Sequence, residues 1–199
     1  MSKKLGQDQG GSALAHRRGV RPVLLTAPHQ YPHWRVDHFK LAEPHSGPLA
    51  RNLARRTACH SLVTRGRQKY DPNFDEACPF KDKIAEIHEA YSLEFLLDLH
   101  GAAPYREFAF AIGTNDGTTL LGQDHLVDAL IEVLSPVAGP IVVNPPQKFG
   151  ARHPHTVSRF SSEMLMVPAA QLEINSRLVH HWQDIADSLA LFLRKNFLL

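Results

Sequence analysis

Apolar residues along this 199-residue chain fall into two rhythms. Short apolar runs bounded by turn residues predict strands buried on both faces, at roughly 22–27, 61–65, 94–99, 107–112, 140–144 and 169–174. Helical spacing predicts helices at roughly 46–58, 80–92, 123–135 and 180–197. In the last of these, Ile185, Leu189, Phe192 and Leu193 form one stripe, with Asp184, Asp187, Arg194 and Lys195 off it, as a core-packing helix requires. Alternation of strand and helix predicts an α/β fold: a three-layer sandwich with a mostly parallel central sheet. Residues 1–19 are polar, with Gly6, Gly10, Gly11 and Gly19, and read as a mobile tail ahead of a single domain at 20–199. The stretch 145–168 has little periodicity and reads as a long loop, the kind that is functional or mobile.

Three of the predicted strands stop at a polar residue able to bind a metal or move a proton. They end in Ala27-Pro28-His29, in Leu97-Asp98-Leu99-His100-Gly101 and in Gln171-Leu172-Glu173-Ile174-Asn175. In α/β sheets ligands bind at the carboxyl ends of such strands, so these groups can converge, and metal-assisted hydrolysis is the first chemistry to test. Residues two apart on a strand face the same side, so Asp98 can orient His100 as a carboxylate orients a metal-bound imidazole. Glu173 lies inside an apolar run, where a carboxylate is costly unless it is paired or functional. Burial would raise its pKa towards that of a general base; the alternative is an ion pair with Arg177 or another arginine.

Other segments offer further candidates. His33, Asp37, His38, Glu43 and His45 follow His29 and are all possible ligands. Gly113-Thr114-Asn115-Asp116-Gly117-Thr118 reads as a turn, or as a backbone nest for a carboxylate. No Gly-Lys-Ser/Thr follows it, which excludes a phosphate loop. Arg152 and Arg159, with His153 and His155, are placed to bind an acidic substrate through the arginine fork.

Composition narrows the class. An apolar fraction of 43% and a charged fraction of 21% describe a globular chain with a sizeable core. A net charge of +2 gives no ground for nucleic-acid or membrane binding. Thirteen histidines fit metal or proton chemistry. Cys59 and Cys78 lack metal-site spacing, and a disulfide framework is not expected. Met1–Val20 carries no apolar stretch of the secretory kind, and no run approaches the roughly 20 residues that span a bilayer, so the expected compartment is the cytoplasm.

Taken in order, Pro28-His29, Leu97-Asp98-Leu99-His100, Ile112 to Gly117, Asn144 with the loop to Phe160, and Gln171-Leu172-Glu173-Ile174-Asn175 resemble the N-formylglutamate amidohydrolase (N-formylglutamate deformylase) family. The likeness runs through most of the chain after residue 20. That family looks like a compact relative of the zinc carboxypeptidase fold. The resemblance implies one zinc ion held by His29 and His100, with Glu173 as general base, acting on a small N-acyl amino acid or short peptide. The carboxypeptidases take their carboxylate ligand three residues after the first histidine, where this chain has Pro32. The family's acidic residue best matches Glu43, with His33 and His45 as competitors. Its Asp-x-Asn-Arg segment reads Asp71-Pro72-Asn73-Phe74, without the arginine, and its Gly-Gly loop reads Phe149-Gly150-Ala151, with Arg159 the nearest counterpart of the loop's arginine. Asn115 and Asn144 join Arg152 and Arg159 as substrate-binding candidates. Two other readings stand beside the amidohydrolase: a metallopeptidase of the same fold, and a binding module with an incomplete metal site, motivated by Pro32 and Phe74.

Overall fold

A computed structural model describes residues 13–197. Nine strands and five α-helices follow one another along the chain: β1 (Leu14–Arg17), β2 (Arg21–Ala27), β3 (His33–Arg35), β4 (His38–Lys40), α1 (Ser46–Thr57), β5 (Cys59–Thr64), α2 (Pro79–Tyr91), β6 (Phe95–Ala102), β7 (Phe110–Gly113), α3 (His125–Leu134), β8 (Ile141–Val143), α4 (Val157–Leu165), β9 (Ala169–Asn175) and α5 (Trp182–Phe197). Seven strands form one sheet in the order β1-β5-β2-β6-β9-β7-β8, and β3 and β4 make a separate hairpin. Four of the six pairings in the large sheet are parallel; β1 with β5 and β7 with β9 are antiparallel. The chain leaves β2 for β5 on one side through α1, then returns past β2 to β6 through α2.

Helices cover both faces. Val23, Leu25, Leu97, Leu99 and Leu172 pack with α1, α3 and α5 in the larger core. Leu24, Leu62, Leu96 and Ala169 face the other way, onto Phe80, Ile84 and Ile87 of α2 and Val157 of α4. The apolar runs that read as buried strands therefore conceal an alternation. Towards α1, α3 and α5 the central strands stay apolar to their ends. Towards α2 and α4 they turn polar near their carboxyl ends: Leu24 then Thr26, Leu96 then Asp98 and His100, Ala169 then Gln171 and Glu173.

Three elements differ from the sequence expectation. The expected tail through residue 19 is interrupted by β1, which pairs with β5 from Leu14↔Thr64 to Arg17↔Ser61; residues 1–12 lie outside the described residues. Four residues with one buried neighbour are too short to show a period. The stretch 145–168, read as a loop, contains α4, capped by the Thr156 hydroxyl accepting from the Arg159 amide. Its buried face is built from Ser158, Ser161 and Ser162 beside Val157, so it carries no apolar stripe. The β3–β4 hairpin was likewise unforeseen, because most of its residues are partly or largely exposed.

Candidate active site

β2, β6 and β9 are adjacent and parallel, and their polar ends meet. Register pairs Thr26 with Asp98 and His100 with Glu173; His29 follows two residues after β2. Asp98, His100 and Glu173 are set on one face by the strand period, while Pro28 follows the end of β2 and His29 stands in the turn after it.

Both histidines make the same two contacts. His29 presents Nδ1 to Glu43 Oε1 (3.3 Å) and Nε2 to Asp71 Oδ1 (2.8 Å). His100 presents Nδ1 to Glu43 Oε2 (3.0 Å) and Nε2 to Asp98 Oδ2 (2.8 Å). A carboxylate can only accept, so each Nε2–H donates to its aspartate and each Nδ1 faces Glu43. Asp71 and Asp98 are fully buried. Asp98 also accepts from the Thr26 hydroxyl (2.6 Å) and from Asn73 Nδ2 (3.2 Å). Asp71 accepts from Arg35 Nε (2.6 Å) and the Asn73 amide (2.9 Å). Glu43 comes from the segment between β4 and α1, tied down where its amide donates to His29 O and Gly101 N donates to its carboxylate. A Cβ at Gly101 would stand 3.3 Å from that of Glu43, so a larger residue there would push Glu43 by a few tenths of an ångström.

Charge and burial set the protonation. Burial alone would lower the His29 pKa, but the Glu43 charge and hydrogen bonds to Asp71 and Glu43 raise it to about 9. His100 is raised well above the usual histidine value against the same burial, by Asp98 and Glu43. Burial would raise the pKa of both Glu43 and Asp71, but His100 and His29 hold Glu43, and His29, His33 and Arg35 hold Asp71, well below the carboxylate range. Glu173 goes the other way: burial pushes it up to about 7, near the working range of a general base. Its recorded partner is Gln171, which donates from Nε2 to Oε1 at 2.9 Å, so the ion pair with Arg177 is not formed; Arg177 donates to Phe108 O.

His29, Glu43 and His100 thus place two imidazole nitrogens and a carboxylate oxygen within 4.8 Å of one another, with both imidazoles oriented from behind by buried aspartates. This donor set fits a single divalent cation such as zinc. Of the competing ligands, His45 precedes α1 and packs against Trp182. His33 stacks on His29 at 4.1 Å with Nε2 3.2 Å from Asp71 Oδ2, so His29, His33 and Asp71 form a second group of possible ligands.

A cleft of about 440 Å3 opens over these groups, lined also by Arg35, Lys40, Arg106 and the 145–153 loop. The expected substrate contacts divide. Arg152 lines the cleft, but its donors are taken: Asp116 bidentately (3.0 and 2.5 Å), Pro145 O and Asn144 O. It fastens the loop instead. Arg159 pairs with Glu163 and Arg152 O and lies outside the lining. Asn144 accepts from Thr114 N and joins the ends of β7 and β8, while Asn115 donates to Thr118 within a turn; neither lines the cleft. The segment 113–118 is therefore a turn. Gly113 is required because the loop backbone lies against it, with a Cβ 2.4 Å from Phe149 O.

Reasoning from sequence missed Asp71 and Asn73 as buried supports, and Arg106 as a cleft cation. Arg106 Nε is buried without a hydrogen-bond partner among the described residues, and its guanidinium lies 5.0 Å from the Phe149 ring. The signal available was the Asp71-Pro72-Asn73-Phe74 segment that the resemblance singles out.

No family model and no curated protein matches the sequence. Solved structures match in fold. A gene product of Agrobacterium tumefaciens superposes with a TM-score of 0.70 at 17% identity, over 93% of this chain and 94% of that one. An N-formylglutamate amidohydrolase from Ralstonia eutropha gives 0.60 at 12% identity, over 92% and 96%. A metallo-carboxypeptidase from Pseudomonas aeruginosa gives 0.58 at 12% identity, over 92% of this chain and 60% of that enzyme. The fold is the zinc carboxypeptidase-like one these proteins share, as the resemblance carried by the strand-end motifs implies.

Proposed function

We propose that this chain is a metal-dependent hydrolase that cleaves the amide bond of a small N-acylated acidic amino acid. The observation that carries the reading is the triplet of His29, Glu43 and His100, backed by Asp71 and Asp98, with Glu173 in register beside His100. A bound divalent ion would polarise the scissile carbonyl and acidify water beside it. Glu173 takes a proton from the attacking water and passes it to the leaving nitrogen. The C–O bond forms as the C–N bond breaks, releasing a carboxylic acid and an amine. Asp98 and Asp71 keep the histidine Nδ1 atoms turned towards Glu43. Arg106, with Lys40 and Arg35, supplies positive charge to a substrate carboxylate; among the described residues Glu43 and Glu173 are the only acidic ones in the cleft lining.

The reading of a binding module with an incomplete site, motivated by Pro32 and Phe74, would gain if Glu43 and His33 both turned away from the two histidines. Glu43 instead contacts both, which speaks against that reading. A metallopeptidase of the same fold keeps one supporting observation, the cleft's opening to solvent beside the 145–153 loop.

The test is metal content and turnover together. Purified protein incubated with zinc is expected to retain one equivalent after gel filtration and to hydrolyse N-formyl- or N-acetylglutamate. Arg106→Gln is expected to raise KM by about tenfold or more, with a smaller change in kcat, because a lost charged hydrogen bond is worth about 1.5–3 kcal/mol. Protein that takes up no zinc, or cleaves no acylated acidic amino acid or short acidic peptide when loaded, would end the proposal.

A further inference from the structure

A second hollow of about 440 Å3 opens on the other side of the β6 end. It shares Glu43, His100 and the Gly101–Ala103 segment with the basic cleft, so one ridge bearing two of the three candidate metal ligands separates the two spaces. Its chemistry is the opposite. Leu41, Pro44, Pro104, Ile174, Val179 and Trp182 form its walls, and among the described residues no lysine or arginine lines it. Leu41 and Val179 are 80% and 42% exposed, so these apolar side chains face an opening and not a core. Its polar neighbours are largely committed elsewhere. Asn175 donates to Arg106 O and Phe108 O and accepts from Arg177 N, and Ser46 donates to Glu43 O. The ridge consists of Gly101, Ala102 and Ala103, small enough for a bound molecule to lie across it.

We infer that this hollow is an acyl-chain subsite: the substrate lies across the ridge with its carboxylates in the basic cleft and an apolar acyl chain against Val179 and Trp182. The inference rests on the hydrolase reading and narrows its substrate to an N-acyl acidic amino acid with a medium or long aliphatic acyl group. Burying one methylene favours binding by about fourfold, so even partial burial of a chain is measurable.

N-octanoylglutamate and N-acetylglutamate are the probes. With zinc-loaded protein, kcat/KM for the octanoyl compound is expected to exceed that for the acetyl compound by at least about tenfold. Val179→Asp places a charge in the hollow at a half-exposed position, and is expected to bring that ratio close to one; Trp182→Ala is expected to lower it in the same direction. A ratio near one in the unmodified protein, or a ratio unmoved by both variants, overturns the inference while leaving hydrolysis of the acetyl compound standing. Calorimetric titration of both probes into zinc-loaded Glu173→Gln protein judges the hollow without turnover. Tighter binding of the octanoyl compound, lost in a Glu173→Gln, Val179→Asp double variant, supports the subsite even if the hydrolase reading fails; equal binding of the two probes overturns it.

Discussion

Glu173 is a residue whose burial costs the fold something. Its carboxyl is buried, and its pKa is raised from 4.5 to about 7. A raised folded-state pKa means the folded protein binds the proton more tightly than the unfolded chain. The associated stability is complete below about pH 4.5 and is lost as pH rises through about 7. Glutamine keeps the shape and never ionises. Metal-free Glu173→Gln is therefore expected to melt at nearly the wild-type temperature at pH 4.5 and a few degrees above it at pH 8, as a pH series of calorimetric scans would reveal. The same substitution should lower kcat of the zinc-loaded enzyme by about 100- to 10,000-fold, the usual contribution of a positioned base, with metal stoichiometry intact. An unchanged kcat would remove Glu173 from the reaction. The sequence exposed this residue because a carboxylate inside Gln-Leu-Glu-Ile-Asn conflicts with its apolar neighbours. Arg106 carried no such conflict. It follows Pro104-Tyr105 in a polar stretch, and its partnerless Nε is visible only once Phe149 packs against it.

At the scale of elements, periodicity revealed those that bury apolar faces and was silent on those that bury polar ones. The six predicted strands correspond to β2, β5, β6, β7, β8 and β9, and the four predicted helices to α1, α2, α3 and α5. α4 escaped because Ser158, Ser161 and Ser162 occupy its inner face. What holds α4 is hydrogen bonding. Asn73 Oδ1 accepts from the Val157 amide (2.6 Å) at the first turn, where helix N–H groups lack partners, and Asn73 Nδ2 reaches Asp98. One buried side chain thus links the helix start to the carboxylate that orients His100. Asn73→Ala leaves a buried amide and a buried carboxylate oxygen short of a partner, at about 1–3 kcal/mol each. The expected fall in Tm is about 4–24 °C, at roughly 2–4 °C per kcal/mol for a chain of this size. Amide exchange should quicken first at Val157 and the α4 turn that follows. A loss of stability spread evenly over the sheet, with α4 still protected, would contradict this link.

The whole molecule concentrates charge at one sheet edge, and that makes its stability depend on what cation sits there. With protons alone, His29 and His100 are held protonated by Glu43, Asp71 and Asp98. A histidine whose folded pKa is raised contributes stability that is fully present below its unfolded value of about 6.5 and is lost as pH rises through the folded value, about 9 for His29. Metal-free protein should therefore lose thermal stability steadily between pH 6.5 and 9. A divalent ion at the two Nδ1 atoms takes the place of those protons, so its binding releases them and strengthens with pH. The increase in Tm on adding zinc is then expected to be small near pH 6 and to widen towards pH 9, because the ligand stabilises the folded state by mass action while the proton term fades. The proton count can be checked separately, by calorimetric titration of zinc in buffers of different ionisation enthalpy at pH 7.5, where at least one proton should leave per ion bound. A zinc-induced shift independent of pH, with no proton released, would mean that the ion binds away from His29 and His100. Glu43→Gln adds the spatial control. It removes the carboxylate facing both Nδ1 atoms, so it should lower the His29 pKa, flatten the pH dependence of the metal-free protein and weaken zinc binding in one substitution.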